Sequence, residues 1–161
     1  MMPEWVDILR LLHVVGATVL FGTGAGIAFF MVMAHRTCNS SLIAHVAGTV
    51  VVADTLFTAT AVVLQPVTGY LLAREIGWSL TEGWIALSLL LYVLTGLFWL
   101  PVVAIQIRLR NLAQAAAINN EVLPPAYFRL YRIWFLCGFP AFFAVIGILW
   151  LMLVKPSFAF F

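Results

Sequence analysis

The chain has 161 residues, of which 65% are hydrophobic and only 9% are charged, and its formal net charge is +2. A mean hydropathy of +1.11 excludes a water-soluble domain of ordinary composition. The sequence therefore predicts an integral membrane protein.

Four segments are apolar and long enough to cross a bilayer, since about 20 residues of helix span the hydrocarbon core. They cover residues 11–34, 43–72, 84–107 and 133–154. The first is too long for the apolar core of a secretory signal and follows Glu4 and Asp7, so we interpret it as a retained helix. Four spans use nearly the whole chain, and we expect one all-α domain over residues 1–161, a four-transmembrane-helix bundle.

The basic residues predict the orientation of this bundle. The first and third loops with their flanks hold Arg36, Arg108, Arg110, Arg129 and Arg132, whereas the opposite face holds Arg10, Arg74 and Lys155. Because Lys and Arg accumulate on the cytoplasmic side of a membrane, we expect both termini on the outer, periplasmic side of a bacterial inner (plasma) membrane.

Polar and small residues form a stripe on one face of each of the first three helices. Positions i, i+4, i+7 and i+11 share a helix face. In the second helix these are Asp54, Thr58, Ala61, Gln65 and Thr68; in the third, Tyr92, Gly96, Trp99, Val103, Gln106 and Arg110; in the first, His13, Ala17, Leu20, Gly24, Ile27, Met31 and His35. We expect these faces to meet inside the bundle, where their polar groups either bond to one another across helices or line a site.

Asp54 is the acidic residue within the apolar segments and lies near the membrane midplane. An ionisable side chain at this depth is costly and usually faces a partner or a cavity. It can act as a proton relay. The alternative is a salt bridge or hydrogen bond between helices, to Arg36, Arg108 or a backbone carbonyl.

His13 is the candidate ligand for a cofactor. A histidine near the start of a transmembrane helix can bind haem iron, bind a metal or relay protons, and its neutral form can also bond to a facing Gln or Tyr. At about 1.5 Å per residue, His13, Gln65 and Tyr92 share one outer level of the membrane, whereas His35 and His45 lie about 30 Å away. A haem here would therefore use one histidine with a ligand of another kind, or no histidine at all.

The glycine cluster in the first helix has a simpler interpretation. Gly22 and Gly26 form a small-xxx-small pair, which allows two membrane helices to approach closely. The cluster is no nucleotide-binding loop, since it lies in mid-helix, and no basic stripe of the kind that binds nucleic acid is present.

Several short motifs distributed along the chain carry a resemblance to a known family. They are Leu11-Leu12-His13-Val14-Val15-Gly16, Phe21-Gly22-Thr23-Gly24, Met33-Ala34-His35-Arg36, Val63-Leu64-Gln65-Pro66-Val67-Thr68-Gly69, Thr81-Glu82-Gly83-Trp84, Trp99-Leu100-Pro101 and Arg132-Ile133-Trp134. Together they resemble a bacterial family of predicted four-helix integral membrane proteins of unknown function. The resemblance implies the topology and carries no activity.

The early Leu-His pair of the first helix is also similar, more distantly, to HemJ-type protoporphyrinogen oxidases and to copper-resistance D-type membrane proteins. In the HemJ-type family this histidine is implicated in haem binding, which the resemblance implies for His13 alone. That family pairs the histidine with a basic residue in the third helical region, and residues 84–106 of this chain contain none.

Two hypotheses follow. The first is a redox membrane protein that binds haem b or a quinone between the first three helices, with His13, Gln65, Tyr92 and Trp99 at the cofactor, His13 as the metal ligand only if haem iron is bound, and Asp54 as the proton relay. The second is a non-enzymatic transport or accessory subunit, whose polar stripe lines a path or docks against a larger membrane complex or a second copy. Motifs for serine hydrolases and zinc proteases are absent from the sequence.

Overall fold

The computed structural model describes residues 3–157 and consists of four long helices joined by short loops. They are α1 (Pro3–Arg36), α2 (Ser40–Ile76), α3 (Gly83–Ile118) and α4 (Pro125–Val154). Each is long and apolar enough to cross a membrane, and the described residues contain no strand. The predicted all-α, four-transmembrane-helix bundle is confirmed.

The helices extend beyond the apolar segments that located them in the sequence. The largest extension is in α3, which continues from residue 107 to Ile118, and α4 begins at Pro125 rather than at residue 133. Hydropathy marks only the part of a helix inside the hydrocarbon core. Arginine, glutamine and alanine, which fill the extra turns of α3, are good helix formers outside it.

Local sequence accounts for where the helices begin and end. The side chain of Asn39 accepts a hydrogen bond from the backbone N–H of Leu42 at 3.0 Å and caps the start of α2. At the end of α2, Gly77 takes the left-handed conformation with φ 84°, and the N–H of Trp78 donates to the carbonyl of Ala73. Pro124 and Pro125 set the start of α4.

Helix α2 is interrupted at its centre by one π-helical turn, Asp54–Thr58. The N–H of Ala59 donates to the carbonyl of Asp54, five residues earlier instead of four. Such turns insert one extra residue into a helix and are frequent at functional sites. This turn divides α2 into two α-helical halves, Ser40–Ala53 and Ala59–Ile76.

The tightest packing lies at the end of the bundle that holds the loops 37–39 and 119–124, here called the basic end. Its core is rich in alanine, which lets helices approach closely: Ala34, Ala44, Ala47, Ala113 and Ala116 surround Met31, Ile43, Leu109 and Tyr127. The ring of His35 stacks on Tyr131 at 3.6 Å between centroids, next to Tyr127. At the opposite end, Trp84, Ile85 and Leu151 form a smaller cluster, and Lys155 lies over the ring of Trp78.

The four helices associate mainly as two pairs. Helix α1 packs along the second half of α2, α3 packs along α4, and the first half of α2 joins the pairs through its contacts with α3. The pair Gly22 and Gly26 makes no close helix approach within residues 3–157, because a Cβ added at either glycine would meet no atom within 4 Å. The packing interpretation of these glycines is therefore wrong for the described bundle.

Candidate ligand-binding cavity

A cavity of about 440 Å³ lies in the middle of the bundle where the two helix pairs separate. All four helices contribute to its wall, and most of that wall is alanine, glycine, leucine, valine and phenylalanine. Its polar lining residues are Asp54, Thr58, Gln65, Tyr92, Thr95, Trp99, Gln106 and Trp134. An apolar chamber with a few polar groups is the usual form of a small-molecule site.

Three buried side chains, Asp54, Thr58 and Gln106, form what we call the polar patch of this cavity. Their exposed fractions are 5%, 6% and 2%. The Asp54 Oδ2, Thr58 Oγ1 and Gln106 Nε2 atoms have no hydrogen-bond partner in the described part of the chain. A buried polar atom without a partner costs about 1–3 kcal/mol, so three such atoms on residues that line one cavity indicate a site for a polar ligand group.

The other polar atoms of the patch are held by two tryptophans. Trp99 donates its indole N–H to Asp54 Oδ1 at 3.3 Å, and Trp134 donates its indole N–H to Gln106 Oε1 at 3.1 Å. Since Gln106 accepts through Oε1, its amide N–H groups are left to donate. Each indole therefore fixes one polar atom of its partner, and the other polar atom of that side chain has no partner among the described residues.

The Thr58 hydroxyl, which has no partner among the described residues, lies in the π turn. Thr55 and Thr60, on the outer faces of the same helix, donate to the carbonyls of Val51 and Leu56, four residues earlier, at 2.8 and 2.6 Å. Thr58 makes no such bond, and the carbonyl four residues before it, that of Asp54, accepts from the N–H of Ala59 instead. The unbonded hydroxyl and the irregular backbone turn therefore occur at the same place in α2, next to the cavity.

Gln65 and Tyr92 line the cavity, but their polar groups are used to hold helices together. The Gln65 amide donates to the carbonyl of His13 at 2.8 Å, and the Tyr92 hydroxyl donates to the carbonyl of Val62. The Tyr92 hydroxyl and one N–H of the Gln65 amide are therefore already bonded to backbone carbonyls.

His13 does not line the cavity. Its Nδ1 lies 2.8 Å from the hydroxyl of Thr68, and that hydroxyl donates to the carbonyl of Leu64 at 2.7 Å. With the Thr68 hydroxyl hydrogen on the Leu64 carbonyl, the contact with Nδ1 is a hydrogen bond in the Nδ1–H tautomer, whose lone pair lies on Nε2. The imidazole thus joins α1 to the second half of α2.

The structure brings four of the five candidate site residues together. Asp54, Gln65, Tyr92 and Trp99 line one cavity, whereas His13 lies outside it. Thr58, Gln106 and Trp134 also line the cavity, although none of them is among the residues that the sequence singles out as site residues. Thr58 and Gln106 belong to the predicted stripes, so the periodicity contained their signal. Trp134 lies on α4, and the polar stripes predicted from the sequence are on the first three helices only.

Asp54 pairs with an indole and not with an arginine. Among residues 3–157 the ion pair is Arg10 with Asp7, at 3.0 Å within α1. A salt bridge and a hydrogen bond between helices were the alternatives to a proton relay at Asp54. The structure shows the hydrogen bond, from Trp99 to Asp54 Oδ1.

The cavity wall offers few ligands for iron. No histidine, cysteine or methionine of the described residues lines it, and no group of three His, Cys, Asp or Glu side chains in residues 3–157 could hold a metal ion. The Nε2 atom of His13 could bind iron, but His13 does not line the cavity.

Comparison with known proteins identifies a family and no activity. The family model described as "Predicted integral membrane protein (DUF2269)" matches residues 7–156. Neither a curated protein nor a solved structure matches the chain.

Proposed function

The chain belongs to the DUF2269 family of predicted integral membrane proteins, and from that premise we propose that it binds a lipid-soluble quinone or quinol in the cavity and exchanges a proton with it through Asp54. The observation that carries the proposal is the polar patch, three unpartnered and buried polar atoms on side chains that line an apolar chamber.

The chemistry of the patch matches that of a quinone head. A quinone is a flat apolar ring with carbonyl oxygens that accept hydrogen bonds, and a quinol presents hydroxyl groups in their place. The amide of Gln106 would donate to one oxygen of the ring in the quinone form. Asp54 Oδ2 would accept from a hydroxyl in the quinol form, and the Thr58 hydroxyl can do either.

Asp54 is the group that handles the proton. An ionised carboxylate within hydrogen-bond reach of a quinol hydroxyl accepts its proton, which leaves a quinol anion and a neutral carboxylic acid, and the reverse step returns the proton. The indole N–H of Trp99 bonds to Oδ1 and keeps the carboxyl group oriented. This exchange moves one proton and needs no electron acceptor.

A quinone suits this cavity better than haem b. Haem iron takes its axial ligand from His, Cys, Met or Tyr. The described wall contains none of the first three, and its tyrosine, Tyr92, already donates to a backbone carbonyl. His13 is fixed between α1 and α2 by Thr68, so a haem held by His13 would occupy a different position.

The transport alternative lacks a comparable feature. A transport path has to reach both surfaces of the membrane. Beyond Gln106 the bundle is closed toward the basic end by Met31, Ile43 and Leu109, which have no exposed surface. A chamber closed on that side favours a bound ligand over a translocated one.

We place the protein in the bacterial inner membrane with both termini on the outer side. The support is the excess of arginine at the basic end, where Arg36, Arg108, Arg110, Arg129 and Arg132 flank the first and third loops.

The direct test is quinone binding to the purified protein in lipid nanodiscs. Quinones quench tryptophan fluorescence on contact, and Trp99 and Trp134 both line the cavity. We expect saturable quenching by decylubiquinone. Replacement of Gln106 by leucine should raise Kd about tenfold, because a buried hydrogen bond to the ring is worth about 1.5 kcal/mol.

The matched control is Gln114→Leu, two turns further along α3 at an exposed position. It should leave Kd unchanged. Equal affinity of the wild type and Gln106→Leu would contradict the proposal. A Soret shift in the reduced-minus-oxidised spectrum that disappears in the His13→Ala variant would show that the ligand is haem and not a quinone.

A further inference from the structure

The exposed residues that line the cavity all lie on α1 and α4. They include Gly24 and Ala28 on α1 and Gly138 and Phe139 on α4. The lining residues of α2 and α3, such as Val62 and Trp99, are buried or partly buried. This contrast indicates that the cavity opens between α1 and α4.

The register of the two helices places the small residues opposite each other. The ring of Phe21 stacks on that of Phe142 with centroids 5.3 Å apart. Helices α1 and α4 run antiparallel. Gly24 lies about one turn after Phe21 in α1, and Gly138 lies about one turn before Phe142 in α4, so the two glycines are at the same level. We call this gap between Gly24 and Gly138 the window.

The two glycines of the window do not serve close packing. A Cβ added at Gly24 or at Gly138 would meet no atom of the described residues within 4 Å. Elsewhere glycine does have a packing role, since a Cβ at Gly147 would lie 3.1 Å from Leu91 and one at Gly16 would collide with Gln65. At the window, the missing side chains leave open space.

We propose that this window passes the isoprenoid tail of the ligand into the bilayer. The inference rests on the proposed function and adds a ligand class: a quinone whose head sits at the polar patch and whose long apolar tail leaves between Gly24 and Gly138. The lining beside the window, Phe135, Phe139 and Phe142, is apolar, as contact with a hydrocarbon chain requires. A tail-less quinone would fill the chamber without using the window.

The test compares two ligands in one variant. In the double variant Gly24→Leu/Gly138→Leu, the two leucine side chains should close the window and leave the residues of the polar patch unchanged. Leucine has a higher helix propensity than glycine, so the substitutions suit both helices. We expect the Kd for decylubiquinone to rise about tenfold or more, and the Kd for the tail-less 2,3-dimethoxy-5-methylbenzoquinone to stay within about twofold. Gly22→Leu is the matched control, since Gly22 is exposed on the same helix but outside the cavity lining.

Each outcome has one meaning once size-exclusion chromatography confirms that the variant is folded. Selective loss of the long-tailed ligand supports the window as the tail route. Unchanged affinity for both ligands, or equal loss of both, overturns the window and leaves the proposed function standing. Failure of the wild type to bind either quinone overturns the proposed function itself.

Discussion

Two groups of polar side chains inside the bundle have opposite roles. His13, Thr68 and Gln65 satisfy one another and the backbone, so they hold α1 against α2. Asp54, Thr58 and Gln106 each keep one atom without a partner among the described residues. In a membrane interior, where no water offers compensation, the second group is costly for stability and informative about function.

The His13–Thr68 hydrogen bond should contribute measurably to stability. We expect a double-mutant cycle of His13→Phe and Thr68→Val, measured by thermal unfolding in detergent, to give a coupling energy of about 0.6–1.7 kcal/mol. Thr60→Val is the control for Thr68→Val, since the Thr60 hydroxyl bonds only its own helix. Strictly additive single mutants would contradict the assignment of His13 as a helix-joining residue.

Sequence reasoning located the stripe that faces inward and could not tell which of its atoms would be satisfied. Helical periodicity is enough to place Asp54, Gln65, Tyr92 and Trp99 on inner faces. The assignment of donors to acceptors depends on rotamers and on the neighbouring helix, as with Trp134 of α4 and Gln106 of α3. The depth of His13 in the membrane is readable from the sequence, and it suggested a site there. The direction of the side chain is not readable, and the structure places it outside the cavity.

At the scale of the element, the π turn is the feature of α2 that sequence reasoning did not predict. The buried positions Val50, Asp54, Thr58 and Ala61 are spaced as in an uninterrupted α-helix. The sequence pattern therefore gives no sign of the extra residue. The four apolar segments were readable because their hydropathy is high. Their true ends depended on capping by Asn39 and Gly77 and on interfacial turns that hydropathy does not detect.

Deletion of one residue should be tolerated at the π turn and not elsewhere. Removal of the exposed Leu56 lets the turn relax to regular α-helix with the flanking halves in register, at a cost of at most about 1 kcal/mol. Removal of the exposed Leu97 from α3 rotates all later residues by about 100° and should cost more than about 4 kcal/mol.

The measurement is the thermal midpoint of each deletion variant, with the yield of monodisperse protein as a second readout. Equal damage from both deletions would show that the extra residue of the π turn is required by the fold.

At the scale of the whole molecule, the cavity exists because the core is concentrated elsewhere. Alanine-rich packing joins all four helices at the basic end, and α3 and α4 pack together toward the other end through Trp84, Ile85 and Leu151. The second half of α2 packs on α1 and leaves space between the two helix pairs. The hydrophobic exterior faces lipid, so stability comes from these contacts and not from burial away from water.

The orientation of the bundle can be tested with a native cysteine. Cys38 is exposed in the loop between α1 and α2 at the basic end, and Ser79 is exposed in the loop between α2 and α3 at the opposite end. The excess of arginine at the basic end predicts that it faces the cytoplasm. In spheroplasts, a membrane-impermeant maleimide should therefore label Cys38 of the Cys137→Ser variant only after permeabilisation. It should label the Cys38→Ser/Cys137→Ser/Ser79→Cys variant at once. The reverse pattern would place both described ends of the chain, near Glu4 and Lys155, in the cytoplasm.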